Sequence, residues 1–182
     1  MIKRIYLTGF MTSGKSTLGK ILANVLGWNF YDLDFEIEKD EEIKIAEIFK
    51  TKGEKYFRKA ESIKLKKLSE KDFSIISLGG GTLVNDDNLK TILKTGKLVY
   101  LKVPPEIIYR RIKNKIDRPL FRDFVLEGNS KETFIKKIED MLKERNKYYC
   151  QADLIFKIDN SPVGITVDKL AKSIKKLLYE KN

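Results

Sequence analysis

A glycine-rich segment near the start of the chain constrains the fold more than any other feature. Residues 9–16 read Gly-Phe-Met-Thr-Ser-Gly-Lys-Ser and match the pattern G-x-x-x-x-G-K-[ST]. The segment lies between a β-prone run at 3–8 and helical spacing at 15–26, which is the context that a phosphate-binding loop requires. Glycines let successive backbone N–H groups point inward at phosphate oxygens, helped by the positive end of the following helix. The pattern therefore predicts a strand, a phosphate loop and a helix in that order, rather than a chance glycine-rich turn.

The side chains of this loop have separate predicted roles. Lys15 would add a point charge for the β- and γ-phosphates of a nucleotide, and the Ser16 hydroxyl would be a ligand of Mg²⁺, an ion that binds oxygen and bridges phosphates. The residues of the loop predicted to contact the nucleotide, ATP, are Gly9, Thr12, Ser13, Gly14, Lys15, Ser16 and Thr17.

Two aspartates follow the second predicted strand, at 29–31. A supporting acid for the metal commonly ends the third strand, but here that strand runs through Ser77 into glycines. Asp32 and Asp34 are two residues apart, so an extended backbone would project both carboxylates to one side, near the phosphate loop. One could then support Mg²⁺ through water while the other meets an acceptor hydroxyl. An exposed acidic turn that begins a helix at Phe35 explains the pattern equally well.

A helical arginine and a run of three glycines could form an acceptor site. Arg58, with Glu61 one turn later, could offer its planar guanidinium to a substrate carboxylate while Glu61 holds its orientation. Taken alone, a surface ion pair is the favoured interpretation of these two residues. Gly79, Gly80 and Gly81 follow a buried-looking strand, and close approach of a ligand to the backbone explains them best, although a tight loop remains an alternative.

Strands and helices are predicted to alternate along a single domain of residues 1–182. Such alternation predicts an α/β fold of three layers, α/β/α, with a five-stranded parallel sheet that binds ligands at its carboxyl ends. Residues 114–130 break the periodicity and are interpreted as a lid, and residues 33–62 as the acceptor-binding segment. The predicted strands are 3–8, 29–31, 73–78, 97–103 and 153–158, and the predicted helices include 15–26, 43–51, 54–68, 88–94, 131–149 and one after Pro162.

Composition excludes several classes of site. The 182 residues include one cysteine, Cys150, and no histidine, so an intramolecular disulfide and a multi-thiolate metal site are excluded. We expect an unprocessed protein of a reducing compartment, the cytoplasm, with no membrane span. The net charge of +11 could indicate binding to nucleic acid, but lysines alternate with acids along most predicted helices, so solvent-exposed helix faces are the favoured interpretation. The positive charge would also attract a small anionic ligand.

Five segments together resemble the shikimate kinase family. They are GFMTSGKSTLGK at 9–20, FYDLD at 30–34, IFKTKGEKYFR at 48–58, LGGG at 78–81 and RPL at 118–120, in the order seen in that family. The resemblance spans nearly the whole chain. It implies a P-loop kinase fold and the transfer of phosphate from ATP, with Mg²⁺, to the 3-hydroxyl of shikimate, a step of chorismate and aromatic amino acid biosynthesis.

The resemblance also implies residue roles around the acceptor. Asp34 matches the residue that contacts the acceptor hydroxyls, and Asp32 matches the carboxylate that supports Mg²⁺ together with Ser16. Arg58 and Arg145 match the arginines that hold the shikimate carboxylate, with Gly80 beside them. The predicted substrate-binding residues are thus Asp34, Arg58, Gly79, Gly80, Gly81 and Arg145.

On the nucleotide side, the resemblance adds three residues. Arg118 looks like the lid arginine that closes over the phosphates, so that Lys15, Asp34 and Arg118 are the predicted catalytic residues. Arg111 looks like the residue beside the adenine, with Pro162 on the other face of the base.

Other functions remain open from sequence. A P-loop kinase for gluconate or a nucleoside monophosphate would share the phosphate loop, but the acceptor residues suit a compact polyol acid and there is no signal for a second base pocket. A nucleotide-dependent binding module or a basic nucleic-acid-binding protein would lack phosphotransfer. The favoured partners are ATP and shikimate, without nucleic acid or membrane, and the favoured state is a monomer.

Overall fold

The computed structural model describes residues 3–113, 121 and 125–179. Over these residues five parallel strands form one sheet, in the order β2-β3-β1-β4-β5. The central strand β1 pairs with β3 on one side and β4 on the other, so that Leu7 lies opposite Ser77 and Val99. The strands are β1 Arg4–Thr8, β2 Asn29–Asp32, β3 Ser74–Ser77, β4 Lys97–Lys102 and β5 Leu154–Lys157. The predicted parallel sheet is therefore confirmed.

Helices cover both faces of this sheet, as predicted. Their bounds are α1 Lys15–Leu26, α2 Leu33–Glu41, α3 Ile45–Thr51, α4 Gly53–Leu68, α5 Asp86–Thr95, α6 Pro105–Ile112, α7 Lys131–Tyr149 and α8 Val163–Tyr179, with a 3₁₀ turn at Thr82–Val84. Within the described ranges, no helix combines the length and apolar character needed to cross a bilayer.

Alternation of side chains along β1 divides the core into two layers. Ile5 and Leu7 belong to a cluster that contains residues of α1, α6, α7 and α8, whereas Tyr6 points to a second cluster that contains residues of α2, α4 and α5. Both clusters are built largely from aliphatic and aromatic side chains with almost no exposed surface. The three-layer architecture follows from this two-sided burial of the central strands.

The backbone between Asp32 and Asp34 differs from the sequence prediction. The structure begins α2 at Leu33, directly after β2, so the two aspartates do not lie on one extended segment. Asp32 is the N-cap of α2 and accepts a hydrogen bond from the Phe35 amide at 3.4 Å. An N-cap carboxylate satisfies an amide that the first helical turn leaves unpaired, which favours the helix over continued strand. The predicted acidic turn does begin a helix, but that helix starts at Leu33 rather than Phe35, and both aspartates are half-buried rather than exposed.

The α5–β4 connection gives a test of packing beside the central strand. An ideal Cβ at Gly96 would lie 2.7 Å from the Arg4 carbonyl oxygen and 2.7 Å from the Tyr6 ring. We predict that Gly96→Ala lowers the free energy of unfolding by on the order of 2 kcal/mol, because backbone must move to admit the methyl group. Urea unfolding at matched protein concentration measures this change.

Gly164→Ala is the matched control, because a Cβ there meets no atom within 4 Å and the residue lies in the first turn of α8. It should leave stability unchanged or raise it slightly. Equal midpoints for wild type and Gly96→Ala would contradict the steric argument.

Candidate active site

The loop between β1 and α1 has a backbone that only particular residues accept. Gly9 and Gly14 have φ values of 148° and 96°, and Thr12 has a φ of 58°. An ideal Cβ at Gly9 would lie 2.8 Å from the Leu101 carbonyl oxygen, so a side chain there would collide with β4. Gly14 precedes α1 without a side-chain cap, and the first turn of α1 has no acidic residue. The first amides of α1 are therefore not capped by a side chain, and they carry the positive end of the helix dipole.

Two cations flank this loop. The Lys15 ammonium donates to the carbonyl oxygens of Gly9 and Phe10 at 2.9 and 3.2 Å, so that it lies across the loop. Arg111 on α6 donates to the Thr12 carbonyl oxygen at 2.6 Å. Burial, with a smaller effect of the neighbouring Arg110, lowers the pKa of Arg111 from its ordinary value. This arrangement surrounds the loop with positive charge and attracts a polyphosphate.

Ser16 and Asp32 form the contact between the loop and the second strand. The Ser16 hydroxyl donates to Asp32 Oδ2 at 2.6 Å. A hydroxyl and a carboxylate are hard oxygen donors of the kind that Mg²⁺ prefers. Among the described residues, no group of three or more acidic, cysteine or histidine side chains could hold a metal ion by itself. The pair fits an ion that takes most of its ligands from phosphate and water, and it does not form a complete protein cage.

Asp34 lies in the first turn of α2, close to the glycine loop. Its Oδ1 would lie 2.7 Å from an ideal Cβ on Gly79. Burial, together with the negative charges of Asp32 and Glu61, raises the pKa of Asp34 to about 6, although Lys15 acts in the opposite direction. A carboxylate with such a pKa is a candidate for proton transfer near neutral pH.

Arg58 on α4 is held by two carboxylates of its own helix. Its Nη1 donates to Glu61 Oε2 at 3.0 Å, and its Nε and Nη2 donate to Glu54 Oε1 at 3.2 Å. The predicted ion pair between Arg58 and Glu61 is present, but Glu61 is only 1% exposed, so the pair is not confined to the surface. Burial lowers the pKa of Arg58, but Glu61 and Glu54 outweigh this effect and the net shift is upward. The guanidinium therefore stays charged and oriented.

Side chains of the site pack against the loop at 79–81. An ideal Cβ on Gly80 would lie 3.0 Å from Arg145 Nη1, and one on Gly81 would lie 2.9 Å from Arg58 Nη2. Together with Asp34 against Gly79, each glycine makes room for one functional side chain. These three side chains approach the glycine backbone closely, and the glycines also line the cavity where a ligand is predicted to approach them.

A cavity of about 880 Å³ joins these parts at the carboxyl ends of the strands. It brings together, among the residues predicted from sequence, Thr12, Ser13, Gly14, Lys15, Ser16, Thr17, Asp32, Asp34, Arg58, Gly79, Gly80, Gly81, Arg111 and Arg145. Gly9 and Pro162 do not line it: Gly9 supports the loop from behind, and Ser161 and Val163 reach the cavity where Pro162 does not. Arg118, and most of the predicted lid, lie outside the described residues.

Sequence reasoning missed both ends of the cavity wall. Phe49 and Phe57 line it beside Arg58, with ring centroids 4.8 Å apart. Asp159 and Ser161, which follow β5, also line it. The rule that parallel sheets bind ligands beyond their carboxyl ends could have identified the segment after β5. Nothing in the spacing of the aromatic residues distinguished them from core residues.

These features define a class of protein. The protein has a parallel sheet with β1 at its centre and a phosphate loop between β1 and α1. A cleft at the carboxyl ends of the strands contains acids and arginines. These are the features of a P-loop kinase.

Comparison with known proteins identifies the family. The shikimate kinase family model matches residues 11–177. A shikimate kinase of Chloroherpeton thalassium is 42% identical over 172 residues, which cover 94% of this chain and 92% of the relative. The crystal structure of shikimate kinase from Bacteroides thetaiotaomicron has a TM-score of 0.84 at 33% identity, with 96% and 99% of the two chains covered. The shikimate kinase from Acinetobacter baumannii in complex with shikimate has a TM-score of 0.81 at 31% identity, with 98% and 93% covered. The chain belongs to the shikimate kinase family.

The environment of Asp34 predicts a stability effect with a defined pH dependence. Because the pKa of Asp34 in the folded protein, about 6, exceeds the ordinary aspartate value of 3.8, ionisation disfavours the folded state. We predict that Asp34→Asn is more stable than wild type at about pH 8, by on the order of 1 kcal/mol. The difference should shrink as pH falls through about 6 and vanish below about 4. Urea unfolding across this range measures it.

Asp140 is an exposed carboxylate on α7, and Asp140→Asn serves as the control. This substitution should change the free energy of unfolding by less than about 0.5 kcal/mol at any of these pH values. If Asp34→Asn is less stable than wild type at about pH 8, the proposed desolvation of Asp34 is wrong.

Proposed function

We propose that this protein transfers the γ-phosphate of ATP to the 3-hydroxyl of shikimate. The observation that carries the proposal is the continuous cavity in which a phosphate loop at one end faces Asp34, Arg58 and Arg145 at the other. Membership in the shikimate kinase family supports the same reaction.

The nucleotide end suits ATP in an extended pose. The amides of the loop and the Lys15 ammonium would hold the β- and γ-phosphates. The base would lie between Arg111 and the segment after β5, where Asp159 and Ser161 line the cavity. The Ser161 amide donates to the Asp159 carboxylate at 2.8 Å, which helps to fix the turn after β5.

The acceptor end suits a compact hydroxy acid. Arg58 and Arg145 approach the glycine loop from two sides, so their guanidinium groups can bind one carboxylate between them. Phe49 and Phe57 supply an apolar wall for a carbon ring, and Asp34 supplies an acceptor for a hydroxyl proton. This combination of two cations, one acid and an apolar wall favours shikimate over a nucleoside monophosphate.

Ser16 and Asp32 would hold Mg²⁺, Ser16 directly and Asp32 through water. When bound, the ion would supply positive charge that neutralises the phosphates of ATP. The hydrogen bond between the two side chains keeps both oxygens at the phosphate loop.

The chain itself supplies alignment and charge for the transfer. Lys15 and the loop amides stabilise negative charge as the γ-phosphoryl group leaves ADP. Asp34 orients the attacking hydroxyl and accepts its proton, while Arg58 and Arg145 fix the ring so that this hydroxyl faces the phosphate. We further propose that the lid, with Arg118, closes over the phosphates and excludes water as a competing acceptor.

We also propose that the enzyme acts as a monomer in the cytoplasm. The described lining of the cavity comes from one chain, so no second copy is needed to supply those side chains. Cys150 is a free, exposed thiol, which fits a reducing compartment.

The proposed reaction predicts a particular acceptor preference and mutant pattern. In a coupled ADP-release assay, shikimate should support turnover and gluconate and nucleoside monophosphates should not. Lys15→Ala should reduce kcat by roughly a hundredfold or more, because it removes charge that stabilises the transition state. Arg58→Ala should chiefly raise the KM for shikimate, by about a hundredfold, because it removes a charged contact to the carboxylate.

Exposed lysines on the same helices give matched controls. Lys20→Ala on α1 and Lys55→Ala on α4 remove one charge each without touching the cavity, and both should keep wild-type kinetics. ADP release that does not depend on added shikimate would overturn the proposed acceptor.

The raised pKa of Asp34 predicts an acid limb in the pH–rate profile. As pH falls through about 6, the Asp34 carboxylate of the enzyme that has not yet bound shikimate becomes protonated and can no longer accept the hydroxyl proton. We therefore expect kcat/KM for shikimate to fall about tenfold per pH unit below this value. Initial rates from about pH 5 to about pH 8.5 at saturating ATP measure it, and a flat profile down to about pH 5 would exclude Asp34 as the base.

A further inference from the structure

A buried chain of hydrogen bonds extends from Arg58 into the segment after the glycine loop. Glu61 accepts from Arg58 on Oε2 at 3.0 Å and from the Thr82 hydroxyl on Oε1 at 2.7 Å. Thr82 is fully buried, and its carbonyl oxygen accepts from the Asn88 side chain at 3.2 Å. Asn88 is 3% exposed. This series of hydrogen bonds therefore connects α5 to the acceptor end of the cavity, through Asn88, Thr82, Glu61 and Arg58.

The Thr82 hydroxyl acts as the hydrogen-bond donor to Glu61. A threonine hydroxyl has one proton to donate, and here Glu61 Oε1 receives it. Each oxygen of the Glu61 carboxylate then has a donor, one from Thr82 and one from Arg58. A buried carboxylate oxygen that loses its donor is costly and recruits another donor within reach. The nearest cation is the Arg58 guanidinium, which would rotate toward Glu61 and away from the ligand.

Thr82 is itself fixed in place. It begins the 3₁₀ turn Thr82–Val84, and its amide donates to the Gly79 carbonyl oxygen at 3.3 Å. Asn85 caps α5 by accepting from the Asn88 amide, which holds Asn88 where its side chain reaches Thr82. The hydroxyl of Thr82 cannot follow Glu61 if the carboxylate moves, so it sets the position of the carboxylate.

We propose that Thr82, held by Asn88, is a positioning residue that acts through Glu61 to aim the Arg58 guanidinium at the acceptor carboxylate. This inference rests on the proposed function, because it assigns Thr82 to substrate affinity in the same reaction. Thr82 does not line the cavity, so it acts without touching the substrate. Its role concerns the carboxylate of the acceptor and not the transferred phosphate.

The central experiment compares Thr82→Val with wild type. Valine keeps the shape of threonine and removes the hydroxyl, so Glu61 Oε1 loses its donor. We expect the KM for shikimate to rise about tenfold, with kcat and the KM for ATP changed by less than about twofold. Thr82→Ser restores the hydroxyl and should return the KM to within about twofold of wild type. Isothermal titration of shikimate into nucleotide-free protein should show the same loss and recovery.

Thr91→Val is the matched control. It removes the same hydroxyl from α5, where the half-buried Thr91 donates to the Asp87 carbonyl oxygen and does not line the cavity. It should leave the KM for shikimate unchanged. If Thr82→Val and Thr91→Val have the same kinetics, Thr82 is not a positioning residue.

A double-mutant cycle separates positioning from a general structural effect. If Thr82 acts through Arg58, Thr82→Val added to Arg58→Ala should raise the KM by less than about twofold beyond Arg58→Ala alone. A full additive loss in that background would overturn the proposal. Asn88→Ala should raise the KM in the same direction as Thr82→Val but by less, because it removes the support and keeps the hydroxyl.

The outcomes distinguish this inference from the proposed function. A wild-type protein without shikimate-dependent turnover contradicts the function itself. A wild-type protein that turns over shikimate, together with a Thr82→Val variant of unchanged KM, contradicts only the role of Thr82.

Discussion

The parallel pairing of β1 with both β3 and β4 is the constraint on which the site depends. Parallel strands end at the same edge of a sheet, so the loops after β1, β2 and β3 must meet there. The phosphate loop, Asp34 and the glycine loop are far apart in sequence, and this pairing brings them to one cavity. Apolar side chains on both faces of β1 fix the strand in the middle of the sheet, with helices packed on either side.

The site contains charged side chains that the fold buries close together, which lowers the stability of the folded state. Burial removes water from around Asp34, and the nearby negative charge of Glu61 further disfavours its ionised form, so the pKa of Asp34 is raised. Lys15 and Arg58 compensate in part, and both also point toward the ligand space. Lys15, Arg58, Arg111 and Arg145 line the cavity, and these cationic groups would attract an acceptor carboxylate and a polyphosphate. Local destabilisation of this kind is typical of functional sites.

The glycine loop shows how backbone and side-chain chemistry combine. Each of its three glycines lies against a different functional side chain, and any larger residue would displace that side chain. The loop therefore fixes the distance between Asp34, Arg58 and Arg145. Small residues at these positions serve the arrangement of the cavity as well as access for a ligand.

By itself the sequence determined the phosphate loop, the alternation of strands and helices and most residues of the cavity. These are local signals: the loop pattern, the apolar periodicity and the glycine runs each depend on neighbours along the chain. The α2 boundary was missed because capping by Asp32 competes with extension of β2, and spacing alone does not decide between them.

Only the tertiary structure decided that Glu61 is buried, that Phe49 and Phe57 form a wall, and that Thr82 connects to Arg58. Burial and hydrogen-bond partners of these residues are set by elements up to tens of residues away in the chain. Such contacts arise from packing in three dimensions, so no periodicity along one dimension could have revealed them.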